Sequence, residues 1–133
     1  MKVKTSELTH DALVCAVAMC EGYTNLHKIP NRMSHEPQWA MMPPRQEYGA
    51  MELWEIGSDR DWGFFGPIIE REKIGVAYEP SMIYDDSCRW KALAAMSSND
   101  HEYGPTPLIA AMRCYVASKL GEEVDVPDEL HTI

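Results

Sequence analysis

A single segment organises this chain: Gly104-Pro105-Thr106-Pro107-Leu108-Ile109-Ala110-Ala111-Met112-Arg113-Cys114-Tyr115-Val116-Ala117-Ser118-Lys119-Leu120-Gly121. Thr106 can cap a helix with its side chain, Pro107 is tolerated in a first turn, and Gly121 is a typical stop. The segment therefore predicts a helix over residues 108–120. Its apolar side chains recur at helical spacing and predict one core-facing stripe, made of Leu108, Ile109, Met112, Tyr115, Val116 and Leu120.

A second helix is predicted near the start of the chain, after a short extended lead-in. Thr9 is placed to cap it, Asp11 complements the helix dipole in the first turn, and Gly22 ends it. Residues 12–19 are apolar all round the helix, which predicts burial on most sides.

Between these helices, the sequence predicts a helical turn and a hairpin. Residues 66–75 can form one or two helical turns, with Pro67 at the first position and Gly75 as the stop. Residues 74–78 and 89–93 then predict two antiparallel strands joined by a long loop. The acidic segment 122–130 is most simply a solvated face.

The middle of the chain, from Tyr23 to Gly66, has a different character. Four prolines interrupt it and β-branched residues are few, so we expect irregular structure apart from a short strand near residues 51–56. Its tryptophans and methionines argue against disorder. We expect an ordered, Pro-, Trp- and Met-rich excursion over residues 24–61, serving as a binding loop, a dimer contact or a structural cover.

Length and pattern together predict one small α+β domain over the 133 residues. Two main helices pack on a short antiparallel sheet in this prediction, and the irregular excursion lies against them. The composition is that of a globular chain, with 45% hydrophobic and 25% charged residues.

Charge and apolar content exclude two classes of partner at this stage. Twenty-one Asp and Glu residues outnumber twelve Lys and Arg residues, giving a net charge of −9, so we expect no nucleic acid as partner. The apolar run of residues 12–19 is shorter than the about twenty residues of a membrane span. Polar residues follow Met1–Lys4 where the apolar part of a signal peptide would begin, so we expect a cytosolic protein.

No spacing in the chain predicts a metal or a cofactor. The four cysteines form no CxxC pair and are expected to be small buried thiols in a reducing compartment, and the histidines show no HxH or HExxH pattern; these residues are Cys15, Cys20, Cys88, Cys114, His10, His27, His35, His101 and His131.

Three stretches, taken in order, resemble the NinX-like family of small tailed-phage and prophage proteins. They are residues 1–9 with the apolar helix that follows, residues 66–72, and residues 104–116, with Trp90 and Ala92 between the last two. The resemblance covers residues 1–23 and 62–130 and departs in the middle, which is longer and richer in Pro, Met and Trp. It implies a phage accessory protein made in the bacterial cytoplasm, and it supplies no catalytic residues.

Helix starts behind Gly-Pro sequences are the first candidate site. Unpaired N–H groups and the positive end of the helix dipole favour a phosphate or carboxylate there. Arg71 and Arg113 lie near these starts in sequence and are candidates for bidentate anion contacts. The alternative is that Arg113 pairs with Glu70 or Glu72 and joins two elements.

Aromatic side chains are the second candidate, because they can stack on the ring of a ligand; the alternative is that they fill the hydrophobic core. These residues are Trp39, Tyr48, Trp54, Trp62, Phe64 and Phe65. With the anion site they suit a nucleotide-like molecule. The predicted ligand-binding residues are Thr106, Arg71, Arg113, Trp54, Trp62 and Phe65.

The favoured function is therefore a non-catalytic phage protein that binds a small anionic or nucleotide-like host molecule, in a host-takeover or counter-defence role. The alternative is a protein–protein interaction module that inhibits or modulates a host protein, and the Met and Trp residues of the middle also allow a homo-oligomer. A small enzyme is less favoured, since Glu70 and Glu72 diverge on a helix and no nucleophile motif is present. A nucleic-acid mimic would need denser carboxylates.

Overall fold

A computed structural model describes residues 1–30, 36–45, 49–80, 85–94 and 101–131 of the chain. The fold is α+β, as predicted. Its elements, in chain order, are β1 (Lys2–Lys4), α1 (His10–Cys20), β2 (Thr24–Ile29), β3 (Gln38–Met42), β4 (Met51–Glu52), α2 (Leu53–Ile56), α3 (Trp62–Glu72), β5 (Ile74–Tyr78), β6 (Trp90–Ala94), β7 (His101–Gly104), α4 (Pro107–Leu120), β8 (Glu123–Asp125) and α5 (Asp128–His131).

The described strands form three small antiparallel sheets. The first sheet is the pair of β1 and β8. The second sheet contains β2, β3 and β4, and the third contains β5, β6 and β7, each in that spatial order. The predicted hairpin of β5 and β6 is confirmed, with Val76 opposite Ala92. The third strand, β7, was not predicted, and residues 95–100, which precede it, lie outside the described residues.

Helix α4 lies at the centre of the core and packs on all three strands of the β5–β7 sheet and on α1. The predicted cap is confirmed, because the Thr106 hydroxyl accepts a hydrogen bond from the Ile109 N–H at 3.2 Å. Residues 108–116 are all buried. Leu120 is an exception to the predicted stripe: it is 41% exposed, since the last turn extends beyond the sheet.

Helix α1 is the second core helix, and the predicted burial is confirmed for residues 12–18. Gly22, at φ +96°, follows its C-terminal end, as predicted. Thr9 occupies the N-cap position but makes no capping hydrogen bond with its side chain. Cys15 is fully buried, and desolvation raises the pKa of its thiol to about 12. Cys114 is buried as well, whereas Cys20 and Cys88 are only partly so.

The irregular excursion predicted for residues 24–61 is wrong for much of its length, because β2, β3, β4 and α2 all lie there. The prolines bound the strands instead of preventing them: Pro30 follows β2, Pro37 precedes β3 and Pro43 follows it. The predicted strand at residues 51–56 is a two-residue strand that turns into a short helix. Cross-strand pairing and packing of Met41 on the core stabilise this sheet despite its weak propensity.

Helix α3 also differs from the prediction, because it begins at Trp62 and encloses Pro67. The Asp61 side chain caps it by accepting a hydrogen bond from the Phe64 N–H at 3.2 Å. It ends at Lys73, which adopts the left-handed conformation, two residues before the expected glycine stop. A strong N-cap outweighs the cost of an internal proline here.

The acidic segment after α4 is more than a solvated face. β8 pairs with β1, and Val124, Val126 and Leu130 are buried against the core between exposed acidic residues. Within the described residues, none of the helices combines the length and apolarity needed to cross a bilayer.

Candidate functional site

The starts of α1, α3 and α4 all involve the turn between α2 and α3, at residues 57–61. Asp59 accepts a hydrogen bond from the His10 N–H at the start of α1, with 3.1 Å between N and Oδ2. Asp61 caps α3, and Trp62 begins it. A cavity lies beside this turn, and its walls include the first residues of α4; it is lined by Asp59, Arg60, Trp62, Thr106, Pro107 and Leu108.

Both proline-bearing helices carry their own caps at this place. The Asp61 carboxylate accepts a hydrogen bond from the Phe64 N–H, and the Thr106 hydroxyl accepts one from the Ile109 N–H. A side-chain cap satisfies one of the N–H groups that an external anion would use. The carboxylate of Asp61 also places negative charge where a phosphate would sit, so the helix starts are weak anion receptors.

His10 and Asp59 form the most constrained contact of the site. The ring Nδ1 lies 3.2 Å from Asp59 Oδ2, the same oxygen that accepts the His10 backbone N–H. Asp59 is 8% exposed, and His10 holds φ +49° at the first residue of α1. The left-handed conformation costs energy for a residue other than glycine, so the backbone hydrogen bond and the ring contact hold a strained helix start in place.

The cavity itself is small and mostly apolar. It measures about 130 Å³, whereas pockets for drug-sized ligands range from about 300 to 1,000 Å³. The indole of Trp62, the ring of Pro107 and the side chain of Leu108 supply its apolar walls. Trp62 is 56% exposed, so a large aromatic surface remains open to solvent at the rim.

Arg71, predicted as an anion ligand, lies at the other end of α3 and binds the chain's own carboxylates. Its Nη2 lies 2.6 Å from Glu21 Oε2, its Nη1 lies 3.0 Å from Glu21 Oε1, and its Nε lies 3.4 Å from Glu72. Tyr115 also donates to Glu21. Burial raises the pKa of Glu21, but the hydrogen bonds from Arg71 and Tyr115 outweigh it and hold the pKa below its usual value.

Arg113 does not line the cavity, and its described hydrogen bonds are not the expected pairing with Glu70 or Glu72. It is 6% exposed and donates to the carbonyl oxygens of Leu8, at 2.9 Å, and Tyr103, at 2.8 Å. Neither Glu70 nor Glu72 is its hydrogen-bond partner. Burial lowers the pKa of the guanidinium. Arg113 therefore joins the N-terminal segment and β7 to α4.

The aromatic candidates separate into core and surface. Phe65 is fully buried, whereas Trp54 is 69% exposed on α2. Trp39 and Phe64 are partly buried against the core, and Tyr48 lies outside the described residues. Of the six predicted site residues, only Trp62 and Thr106 come together in the cavity.

Three residues of the site were missed from the sequence: His10, Asp59 and Arg60. The only local signal is the polar run Ser58-Asp59-Arg60-Asp61 immediately before an aromatic helix. A polar run of this kind is typical of any turn, and the partnership of Asp59 with His10 depends on the fold.

A second groove, of about 320 Å³, is lined by Lys4, Ser6, Glu102, Glu122 and Glu123. Three carboxylates against one ammonium make it unsuitable for an anion. Among the described residues, no three His, Cys, Asp or Glu side chains converge to hold a metal ion.

Comparison with protein families shows to which family the chain belongs. The model of the family described as Bacteriophage P22, NinX matches residues 4–119. The chain belongs to this family. The match runs through the middle of this NinX-family chain as well, across the segment that the resemblance had left out. None of the curated proteins compared with it matches significantly.

Proposed function

We propose that this NinX-family chain is a phage accessory protein that acts by binding a host protein in the bacterial cytoplasm, without catalysis. The observation that carries the proposal is Trp62, an indole 56% exposed at the rim of a small apolar cavity. Exposed tryptophans beside a pocket are the residue type that most often dominates protein–protein binding energy. Trp54, 69% exposed on the preceding helix, adds a second such side chain.

The size of the cavity supports a protein partner over a free small molecule. A space of about 130 Å³ accommodates one side chain or one flat ring, and leaves the rest of a larger ligand outside. A partner protein would insert one apolar or aromatic side chain between Trp62 and Pro107. The remainder of its surface would then cover the exposed indole.

Net charge indicates the electrostatic character of the partner. A chain with a net charge of −9 attracts a basic surface and repels an acidic one. We therefore expect association to slow as ionic strength rises, because salt screens long-range attraction. A nucleic-acid mimic would show a far steeper salt dependence, because many dispersed carboxylates would contribute to its binding.

The test is affinity capture from the bacterial host with matched variants. Trp62→Ala and Trp54→Ala remove the two exposed indoles, and Leu120→Ala removes an exposed apolar side chain elsewhere. We expect one host protein to be retained by the unsubstituted chain and by Leu120→Ala, with binding to Trp62→Ala weakened at least about tenfold. Equal binding by all variants would place the interface elsewhere and overturn the proposal.

A second candidate, binding of a small anionic ring compound such as a nucleotide, is supported by Arg60. Its side chain is exposed at the cavity, and no ion pair is described for its guanidinium. The anion would then be held by Arg60 and the ring by Trp62, with the helix starts contributing little because they are capped. Native mass spectrometry after incubation with a host metabolite extract tests this candidate, with Arg60→Ala as control. Product formation in the same extract would instead indicate an enzyme.

A further inference from the structure

Asp59 places a carboxylate in the wall of the cavity beside Trp62. Its side chain is 10% exposed, and it shares the cavity with the apolar side chains of Trp62, Pro107 and Leu108. Its Oδ2 accepts the His10 backbone N–H at 3.1 Å and lies 3.2 Å from the ring Nδ1 of His10. For the second oxygen, Oδ1, no hydrogen-bond donor is described in the part of the chain that the structure describes. A side chain that enters the cavity therefore lies beside a nearly buried carboxylate with an open acceptor.

This carboxylate determines which chemistry the cavity accepts. Each carboxylate oxygen can accept hydrogen bonds, and removing one from water without supplying a donor is unfavourable. An entirely apolar side chain, such as that of phenylalanine, would displace water from Asp59 and offer nothing in return. The occupant that fits best therefore combines apolar surface with a hydrogen-bond donor.

Positive charge at the same place disfavours a cationic donor. Arg60 is one of the residues that line the cavity, and α4 begins there with the positive end of its helix dipole. A lysine or arginine side chain would be repelled by both and would also lose its hydration on entry. A neutral donor avoids both costs.

The size of the cavity selects among neutral donors. Its volume of about 130 Å³ suits a single six-membered ring, since apolar protein cavities of about 150 Å³ bind benzene. The exposed indole of Trp62 offers such a ring an aromatic partner. A phenol meets all three conditions, because it is one ring with one neutral donor.

We propose that the cavity accepts a tyrosine side chain of the host protein, with its ring against Trp62 and Pro107 and its hydroxyl donating a hydrogen bond to Asp59 Oδ1. The two contacts of His10 with Oδ2 hold the carboxylate in position for this bond. The proposal rests on the proposed function, because it names the side chain that the partner inserts.

The test uses N-acetyl-tyrosine amide, N-acetyl-phenylalanine amide and N-acetyl-lysine amide with the full chain. The first two probes differ only by the hydroxyl group. Two-dimensional NMR follows the indole N–H of Trp62 and the backbone N–H of Leu108 in each titration. We expect the tyrosine amide to shift both signals saturably and the phenylalanine amide to bind at least about tenfold more weakly. The lysine amide should leave both signals unchanged.

Two variants separate the acceptor from the structure around it. Asp59→Asn replaces the charged acceptor with a neutral amide and should remove the preference for the tyrosine amide. His10→Gly is the matched control, since glycine adopts the φ of +49° without strain and keeps the backbone N–H that Asp59 accepts. The preference should remain in this variant.

Three results would overturn the proposal: no saturable binding of the tyrosine amide, a phenylalanine or lysine amide that binds as tightly, or a folded Asp59→Asn variant that keeps the preference. None of these titrations contains a host protein. Their failure is therefore distinguishable from failure of the proposed function, which capture from the host decides.

Discussion

Arg113 shows what one buried charge does in this chain. It lies within an apolar helix, and its guanidinium donates hydrogen bonds to two backbone oxygens. These carbonyls belong to Leu8, before α1, and to Tyr103 in β7, so the guanidinium joins two segments that α4 alone would not hold together. A structural role that joins two elements was one of two alternatives from the sequence, but the partners are backbone carbonyls and not the expected Glu70 or Glu72.

Replacing Arg113 with methionine should lower the free energy of unfolding by about 2–4 kcal/mol, because two buried carbonyl oxygens lose charged donors. Chemical denaturation followed by circular dichroism measures the change. Arg60→Ala is the matched control: it removes an exposed arginine with no described ion pair and should change stability by less than about 0.5 kcal/mol. Equal losses in both variants would contradict the structural role of Arg113.

The contact between Glu21 and Arg71 should make stability depend on pH. Because the pKa of Glu21 is lower in the folded chain than its ordinary value near 4.5, the contact contributes stability above that pH. The contribution is lost as pH falls through the lowered value. Arg71→Gln should cost about 1 kcal/mol at neutral pH, since Arg71 is half-exposed and solvent screens the pair.

The measurement is urea denaturation of Arg71→Gln and of the unsubstituted chain between neutral pH and acid. The difference between their unfolding free energies should shrink once the pH falls below the ordinary pKa of Glu21. A difference that stays constant into acid would show that Arg71 stabilises the chain by packing alone. Lys119→Gln provides a comparison, because it removes the 3.1 Å ion pair with Glu72 and leaves the hydrogen bonds of Glu21 in place.

At the scale of elements, the contact of β7 with α4 depends on a glycine. A Cβ on Gly104 would lie 2.6 Å from the backbone N of Ala110 and 3.0 Å from its Cα. Gly104→Ala should therefore force the strand from the helix and cost about 3 kcal/mol. A Cβ on Gly75, in the same sheet, would meet nothing nearer than Leu93 O at 3.9 Å.

Gly75→Ala is thus the control for Gly104→Ala, and it should leave stability unchanged or raise it by about 0.5 kcal/mol through lower chain entropy. Thermal unfolding of both variants compares the two positions directly. Similar melting temperatures for the two variants would mean that β7 and α4 can separate at little cost.

The elements also show how much could be predicted from the sequence. α4 was predicted almost to the residue, because its cap, its first-turn proline and its terminal glycine are all local signals. The start of α3 was missed because Pro67 is a strong local signal for a helix start, whereas the actual cap, Asp61, lies six residues earlier. β2 and β3 were missed because their stability comes from pairing and from packing on the core, which no local propensity records.

The site was harder to predict than the fold. Trp62 and Thr106 belong to different elements, and only the packing of α4 near the turn before α3 places them in one cavity. His10 and Asp59 are 49 residues apart in sequence. Their contact is a product of the tertiary structure, and neither residue is unusual in its own sequence context.

At the scale of the whole molecule, the pairing of β1 with β8 closes the domain by joining its first and last strands. Val3 and Val124 lie opposite each other and are both buried. Val124→Ala should lower the free energy of unfolding by roughly 2 kcal/mol through lost apolar contacts. Glu123→Ala, at the neighbouring exposed position, should change it by less than about 0.5 kcal/mol. Chemical denaturation of the two variants would show whether this closure contributes to global stability.

The buried thiol of Cys15 allows the opening of the core to be measured by chemical modification. The thiolate is the form that attacks alkylating reagents, and a pKa of about 12 leaves almost no thiolate at neutral pH inside the folded chain. Cys15 can be modified only when α1 separates from the elements that cover it, so the rate of its labelling reports how often the core opens. Comparing the labelling rate of Cys15 with and without a bound partner would measure how much binding stabilises the folded chain against opening.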